Sequence, residues 1–276
     1  LQKIQTKAGT LEPFVLNRSQ LYRERLIQEM ESFCVACGTS AIGEDGRPLQ
    51  ACETCGATEL GIPVRIIEGK SRRMGASTHY QGRQSWKCMT NRDHGALIAS
   101  HADKSIAAIF RKCKLFYDHM PRGLKPWSKY NNTTALDFRA PSGPTGLRSW
   151  QQVFLATSAE DARGDTVRDA HYSEAAFYKN AERFMLASLQ LVPELPGTTV
   201  AIESTANGPG DFFHNRYLSA QVWWKDENGE PAPPPWMPLA RTHPGSPDSR
   251  WFKIFVPFFL NDEYRIPLRV HEAEFR

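Results

Sequence analysis

The chain of 276 residues carries 34 Lys and Arg against 30 Asp and Glu, a net charge of +4, with 41% apolar and 23% charged residues. This is an ordinary globular composition with material for one large or two small domains, and so slight a positive excess excludes a general polyanion-binding tail, leaving any nucleic-acid contact to local patches. No apolar run approaches the roughly 20 residues of a membrane span, residues 1–10 are polar and show no signal-peptide pattern, and the opening Leu1 in place of Met is expected of a trimmed product.

In chain order, residues 16–32 place Leu16, Leu21, Leu26, Ile27 and Met30 at helical spacing. Cys34-x-x-Cys37-Gly and Cys52-x-x-Cys55-Gly follow, separated by a polar loop. Two such knuckles make a closed tetrahedral thiolate site for structural zinc, with Gly38 and Gly56 permitting the tight turns; the alternative is a pair of disulfides. Residues 63–68 read as a strand and 78–90 as a helix with Trp86 on its core side. Residues 96–100 form a buried strand and 103–120 a helix, with Asp103 in its first turn favoured by the dipole. Cys88 and Cys113 fall in these helices as inert buried thiols.

Residues 136–139 and 152–157 are strands around a turn-rich 141–146. A weakly apolar strand ends near Tyr172 and is marked mainly by the Glu that follows. A helix over 181–192, a strand over 199–204 and a helix over 209–219 come next. Residues 226–249 form a Pro-rich loop, read as a surface excursion because 231–235 cannot join a sheet or helix. The aromatic segment 251–259 returns as the last core strand. Such alternation gives an α/β fold with a mainly parallel sheet and ligands at the carboxyl ends of the strands.

Between the strand at 63–68 and the helix at 78–90 lies Lys70-Ser71-Arg72-Arg73-Met74-Gly75-Ala76-Ser77-Thr78. A glycine-containing loop between strand and helix, followed by Ser-Thr, is the layout of a phosphate cradle, in which backbone N–H groups face phosphate and a hydroxyl reaches magnesium. The usual pattern has Lys immediately before the hydroxyl residue, and here that position is Ala76. Lys70, Arg72 and Arg73 supply cations instead. Taken alone, the loop reads equally as a basic strand-to-helix turn.

That loop resembles the Walker A variant of viral (tailed-bacteriophage) large terminase subunits, in which the lysine stands at the start of the loop. Three other segments resemble the same family in the same order: Pro13 to Gln20 its adenine-binding Q motif, His171 to Phe177 its Walker B end with the catalytic glutamate, and Glu203 to Gly208 its coupling motif. The resemblance covers residues 10–265. It implies a P-loop NTPase of the ASCE/RecA-like class over 1–276, with a zinc-ribbon insertion at 33–58. The family's C-terminal nuclease is expected to be absent, because no Asp/Glu constellation is left to supply it.

The resemblance further implies ATP and Mg2+ as cofactors, beside the structural Zn2+ to which the cysteine knuckles point. Double-stranded DNA, a capsid portal, a small terminase subunit and a ring of like subunits are the implied partners, in the host cytoplasm. By this reading Gln20 reads adenine. Amides from Met74 to Ser77 cradle phosphate, Lys70 neutralises it with Arg72 in reserve, and Ser77 or Thr78 reaches magnesium. Glu174 is the base for the attacking water, shielded by Phe177 and Tyr178. Ser173 departs from the family's usual Asp. Arg163 reaches a neighbouring subunit's ATP or is a plain surface charge, and Thr205, Asn207 and Gly208 sense the γ-phosphate, with Asn-Gly also a turn former. Ala76 and Ser173 leave open a zinc-stabilised nucleic-acid-binding protein with a degenerate nucleotide site, or another P-loop motor such as a helicase.

Overall fold

The computed structural model describes residues 3–5, 10–138, 148–156, 166–237, 240, 242–261 and 264. β1 (Lys3–Gln5) and β2 (Leu11–Pro13) form a small antiparallel pair before α1 (Arg18–Glu31). The helix starts at Asn17 because a reciprocal capping box closes there: Asn17 Oδ1 accepts from the Gln20 N–H, and Gln20 Oε1 accepts from the Asn17 N–H.

The core follows as β3 (Val64–Lys70), α2 (Ala76–Thr90), β4 (Gly95–Ser100), α3 (Asp103–Asp118), β5 (Tyr130–Asn131), β6 (Ala135–Asp137), β7 (Trp150–Leu155), β8 (Asp169–Ser173), α4 (Ala181–Leu189), β9 (Thr199–Ser204), α5 (Phe212–Ser219) and β10 (Phe252–Val256). Among the described residues these strands make one eight-stranded sheet in the order β10-β3-β9-β8-β4-β7-β6-β5. From β10 to β7 all neighbours are parallel, and β6 and β5 add an antiparallel edge. The expected α/β, mainly parallel architecture is observed. β9 lies between β3, which carries the loop at 70–76, and β8, which leads to Glu174.

Period-two alternation decides which helices each strand meets. Val64, Ile66, Ala201 and Ile254 face Leu26, Ile27 and Met30 of α1, while Ala96 and Ile98 face Ile109, Phe110 and Cys113 of α3. The alternate residues Ile67, Leu97, Ala99, Tyr172, Val200 and Ile202 face Phe184 and Met185 of α4 and Phe213 of α5. Both faces are covered, which is why these strands read as continuous apolar runs.

β8 is weakly apolar for the same reason. Its Ala170 and Tyr172 enter the α4 core, whereas buried Asp169, His171 and Ser173 face polar partners.

Two expectations are corrected. Trp86 is not on the core side of α2 but half exposed. The buried face of that helix carries Gln81, Gln84 and Ser85 beside Tyr80, Cys88 and Met89, and Trp86 is turned out beside Arg83, Lys87 and Thr90. The segment 226–249 is not a mere surface excursion. Pro231 bridges Lys225, and Met237 and Ala240 are buried with Val222, while Trp236 meets Tyr22 edge-on at 5.9 Å. The Pro-rich stretch thus returns apolar side chains to the domain.

Candidate active site and metal centre

The carboxyl ends of three parallel strands bring the chemistry together: β3 ends in Lys70, β8 leads into Glu174, and β9 ends in Glu203 and Ser204. Lys70 Nζ lies 2.9 Å from Glu174 Oε1 and 3.0 Å from Glu203 Oε2. Burial alone would lower the lysine's pKa, but the two carboxylates raise it above the ordinary lysine value. Burial would likewise raise Glu203, yet the Lys70 ammonium and donors from His171 and Ser173 hold that carboxyl well below the usual range. The site rests as a compact Glu–Lys–Glu cluster, with the cation already neutralised.

Glu203 is buried and its Oε1 gathers donors: Ser173 Oγ at 2.7 Å, His171 Nε2 at 3.3 Å and Ser77 Oγ at 3.5 Å. Gln81 Nε2 sits 2.6 Å from His171 Nδ1, and Gln81 Oε1 accepts from Gln151 Nε2 at 3.2 Å. A neutral imidazole with its hydrogen on Nε2 satisfies both neighbours. Neither Glu203 nor His171 is among the site residues assigned from sequence. A signal existed in each case: a lone Glu closing the apolar run Thr-Val-Ala-Ile, and a His within a strand covered on both faces.

Glu174 follows β8 in the left-handed conformation at φ +57, a placement that costs roughly 1–3 kcal/mol in a non-glycine residue and turns its side chain toward the strand ends. Its Oε2 takes Ser204 Oγ at 3.4 Å, Thr205 N at 3.3 Å and Thr205 Oγ1 at 3.4 Å. Asn207 Nδ2 donates to the Ala176 carbonyl at 3.0 Å. The 205–208 segment thus touches Glu174 directly and grips the turn behind it. Tyr178 is buried, with its hydroxyl on the Ala99 carbonyl; Phe177 is exposed and packs on His101.

The loop is anchored from below by α1. Ser19 Oγ and the Arg23 guanidinium donate to the Met74 carbonyl at 2.9 and 3.3 Å, and Gln20 Nε2 donates to the Gly75 carbonyl at 3.1 Å. Arg23 is itself fixed by a buried pair with Glu68, Nε to Oε2 2.7 Å. Gly75 adopts φ +69, and a Cβ there would sit 2.7 Å from Gln20 Nε2, so both conformation and close approach require glycine. With the carbonyls held down, the first amides of α2 at Ala76, Ser77 and Thr78 have no intrahelical acceptor and form an anion-favouring helix start.

Ser71 extends the β3–β10 pairing through its N–H to Val256 O. Arg72 and Arg73 are exposed on the outside of the loop, Arg73 at φ +59. Ser77 is the hydroxyl that faces Glu203, whereas Thr78 lines a separate recess with Arg111 and Lys112. Arg163 lies outside the described residues. The Ser77 and Ser173 hydroxyls beside the Glu203 carboxylate are oxygen donors of the kind a hard cation such as Mg2+ takes.

The second cluster is the cysteine hairpin after α1. The sulfurs of Cys34, Cys37, Cys52 and Cys55 lie within 4.8 Å of one another, with Cys34–Cys55 and Cys37–Cys52 each 3.5 Å apart. None of the six cysteines is in a disulfide. Each knuckle closes as predicted, Gly38 N–H to Cys34 O and Gly56 N–H to Cys52 O, with the glycines at φ +76 and +75. Thiolates about 2.3 Å from a tetrahedral zinc stand roughly 3.8 Å apart, so donor type and spacing fit zinc and leave no open coordination position. The hairpin is tied to the core where Gly61 passes under α1; a Cβ there would meet Glu31 O at 2.6 Å.

No protein-family model matches this sequence, and no curated protein matches it. Among solved structures, the fold is similar to the large terminase ATPase domain of Thermus phage P74-26, with a TM-score of 0.50 and 16% identity over 70% of this chain and 75% of that one. It is also matched by the large terminase of a thermophilic bacteriophage in complex with ADP (TM-score 0.42, 15% identity, 70% of this chain) and by the HK97 bacteriophage large terminase (0.41, 13%, 74% of this chain). The chain spans 40% and 41% of those two longer proteins. At these identities the likeness is one of fold: a mostly parallel sheet flanked by helices, as in a terminase ATPase domain.

Proposed function

We propose that the chain is an ATP-hydrolysing motor domain of a phage-type DNA-packaging terminase, acting on double-stranded DNA in a ring of like subunits at a capsid portal, with a small terminase subunit as partner, in the host cytoplasm. The observation that carries the reading is the Lys70–Glu174–Glu203 cluster beside the uncapped start of α2, at the carboxyl edge of a sheet with the terminase ATPase fold. A parallel sheet binds ligands at that edge.

Phosphate oxygens compete with the two carboxylates for Lys70, so nucleotide entry frees Glu174 to orient and deprotonate water. The α2 amides receive the phosphates, and Gln20 offers its second amide hydrogen to the base. Ser77 would hold a bound Mg2+ through its hydroxyl, and the metal would supply positive charge to the phosphates. Thr205, in contact with Glu174, couples the state of that carboxylate to the 205–208 segment.

The test is a magnesium-dependent ATPase assay with and without DNA on the wild type and Glu174→Gln. The variant should lose about 10²–10⁴-fold in turnover while still binding ATP, because an amide cannot accept the water's proton. Turnover within a few-fold of wild type would remove Glu174 from the role. A wild type that binds nucleic acid but never ATP would favour the degenerate-site alternative.

A further inference from the structure

The Walker B position that ordinarily offers an aspartate to the magnesium shell is Ser173 here, and a hydroxyl brings no charge. Ser173 and Glu203 stand directly opposite each other in the β8–β9 pairing. Glu203 reaches into the gap from β9, and its Oε1 takes the Ser173 hydroxyl at 2.7 Å and the Ser77 hydroxyl at 3.5 Å. A carboxylate beside the P-loop hydroxyl is the arrangement that a magnesium site needs, here supplied from the neighbouring strand.

We infer that Glu203 is the metal-facing carboxylate of this site, displaced by one strand from the usual position, with Ser173 and His171 as positioning residues that aim it. This inference rests on the nucleotide-hydrolysing reading above. Three features support it over a purely structural counter-ion for Lys70. Lys70 already has Glu174 as a partner at 2.9 Å. Glu203 Oε1 is turned to the hydroxyls of Ser77 and Ser173 while Oε2 faces the ammonium. The donor His171 is itself held by Gln81 from α2 and so fixes one carboxylate orientation; such outer partners of a metal site tune its affinity.

The experiment compares ATP affinity in excess Mg2+ with that in EDTA by calorimetry, with Mn2+·ATP binding followed by electron paramagnetic resonance as a second readout. The wild type should bind ATP about tenfold or more tightly with the metal, and Glu203→Gln should bring that ratio close to one. Its affinity in EDTA should hold or rise, since Lys70 loses one competitor. The exchange variant Ser173→Asp/Glu203→Gln returns a carboxylate to the usual strand and should restore the metal effect and the Mn2+ signal.

A folded Glu203→Gln that keeps the wild-type ratio overturns the inference and leaves the ATPase reading intact. If melting shows Glu203→Gln to be unfolded, the exchange variant decides: a restored ratio supports the displaced carboxylate, and a ratio near one overturns it. A wild type that binds ATP in neither condition overturns the ATPase reading itself.

Discussion

Replacing Lys70 by Met tests the cluster as a physical object, independently of catalysis. The ammonium sits between Glu174 and Glu203 at 2.9 and 3.0 Å, with the Lys70 side chain 6% and the Glu203 side chain 0% exposed. Lys70→Met leaves Glu203 a buried carboxylate without its ammonium partner, and breaking a buried pair in this one-sided way costs about 3–5 kcal/mol, a large part of a typical stability of roughly 5–15 kcal/mol.

The variant's loss should depend on pH. Without the lysine, desolvation raises the folded-state pKa of Glu203 above its unfolded value. The folded state then binds more protons, so stability falls as pH rises through that raised pKa. Urea unfolding followed by tryptophan fluorescence should show a smaller deficit at about pH 5 than at about pH 8. Lys70→Met/Glu203→Gln should regain most of the loss, because an amide tolerates the site that a lone charge does not. A single variant that loses less than about 1 kcal/mol near pH 8, or a double variant no more stable than the single, would show that the cluster carries no such energy.

The purified chain should contain about one zinc, and Cys52→Ser should lose it; chelation should expose the 34–55 hairpin to protease before the sheet unfolds, and full zinc retention in the variant would refute a four-thiolate site. Burial alone would raise Asp169, but Lys87 at 3.6 Å and His94 at 3.1 Å hold it down to about 2. A depressed carboxyl stabilises above its unfolded pKa near 3.8 and loses that contribution as pH falls toward 2, so acid unfolding over this window should weaken the wild type by on the order of 1–2 kcal/mol more than Asp169→Asn. If Arg163 acts in trans, mixing Arg163→Ala with Glu174→Gln should restore some turnover, since interfaces pairing an intact Glu174 with a neighbour's Arg163 can form; no restoration in demonstrably associated subunits argues for a surface residue.

Local chemistry determined much of this protein. Cys-x-x-Cys-Gly forms its turn from nearest neighbours and glycine torsions, so both knuckles were readable from sequence and close as expected. The apolar runs of β4 and β9 announce strands covered on both faces, and Asn17 with Gln20 sets a helix start within four residues. Lys70 and Glu174 were singled out on a different basis, their place in segments that resemble terminase motifs, and the fold sets the two side chains 2.9 Å apart.

What needed the tertiary structure was every feature created by strands distant in sequence becoming neighbours. Glu203 reads as one acid at a strand end, and only the insertion of β9 between β3 and β8 sets it against Lys70, Ser77 and Ser173 at once. Trp86 departs from expectation because apolar character alone implies burial, whereas the inward face of α2 includes Gln81 and Ser85, which bond to His171 and Gln151. Gln20 acquires its hold on Gly75 across 55 positions of chain. Periodicity and turn chemistry are properties of adjacent residues, while a buried carboxylate becomes tolerable only through partners that the fold delivers from elsewhere.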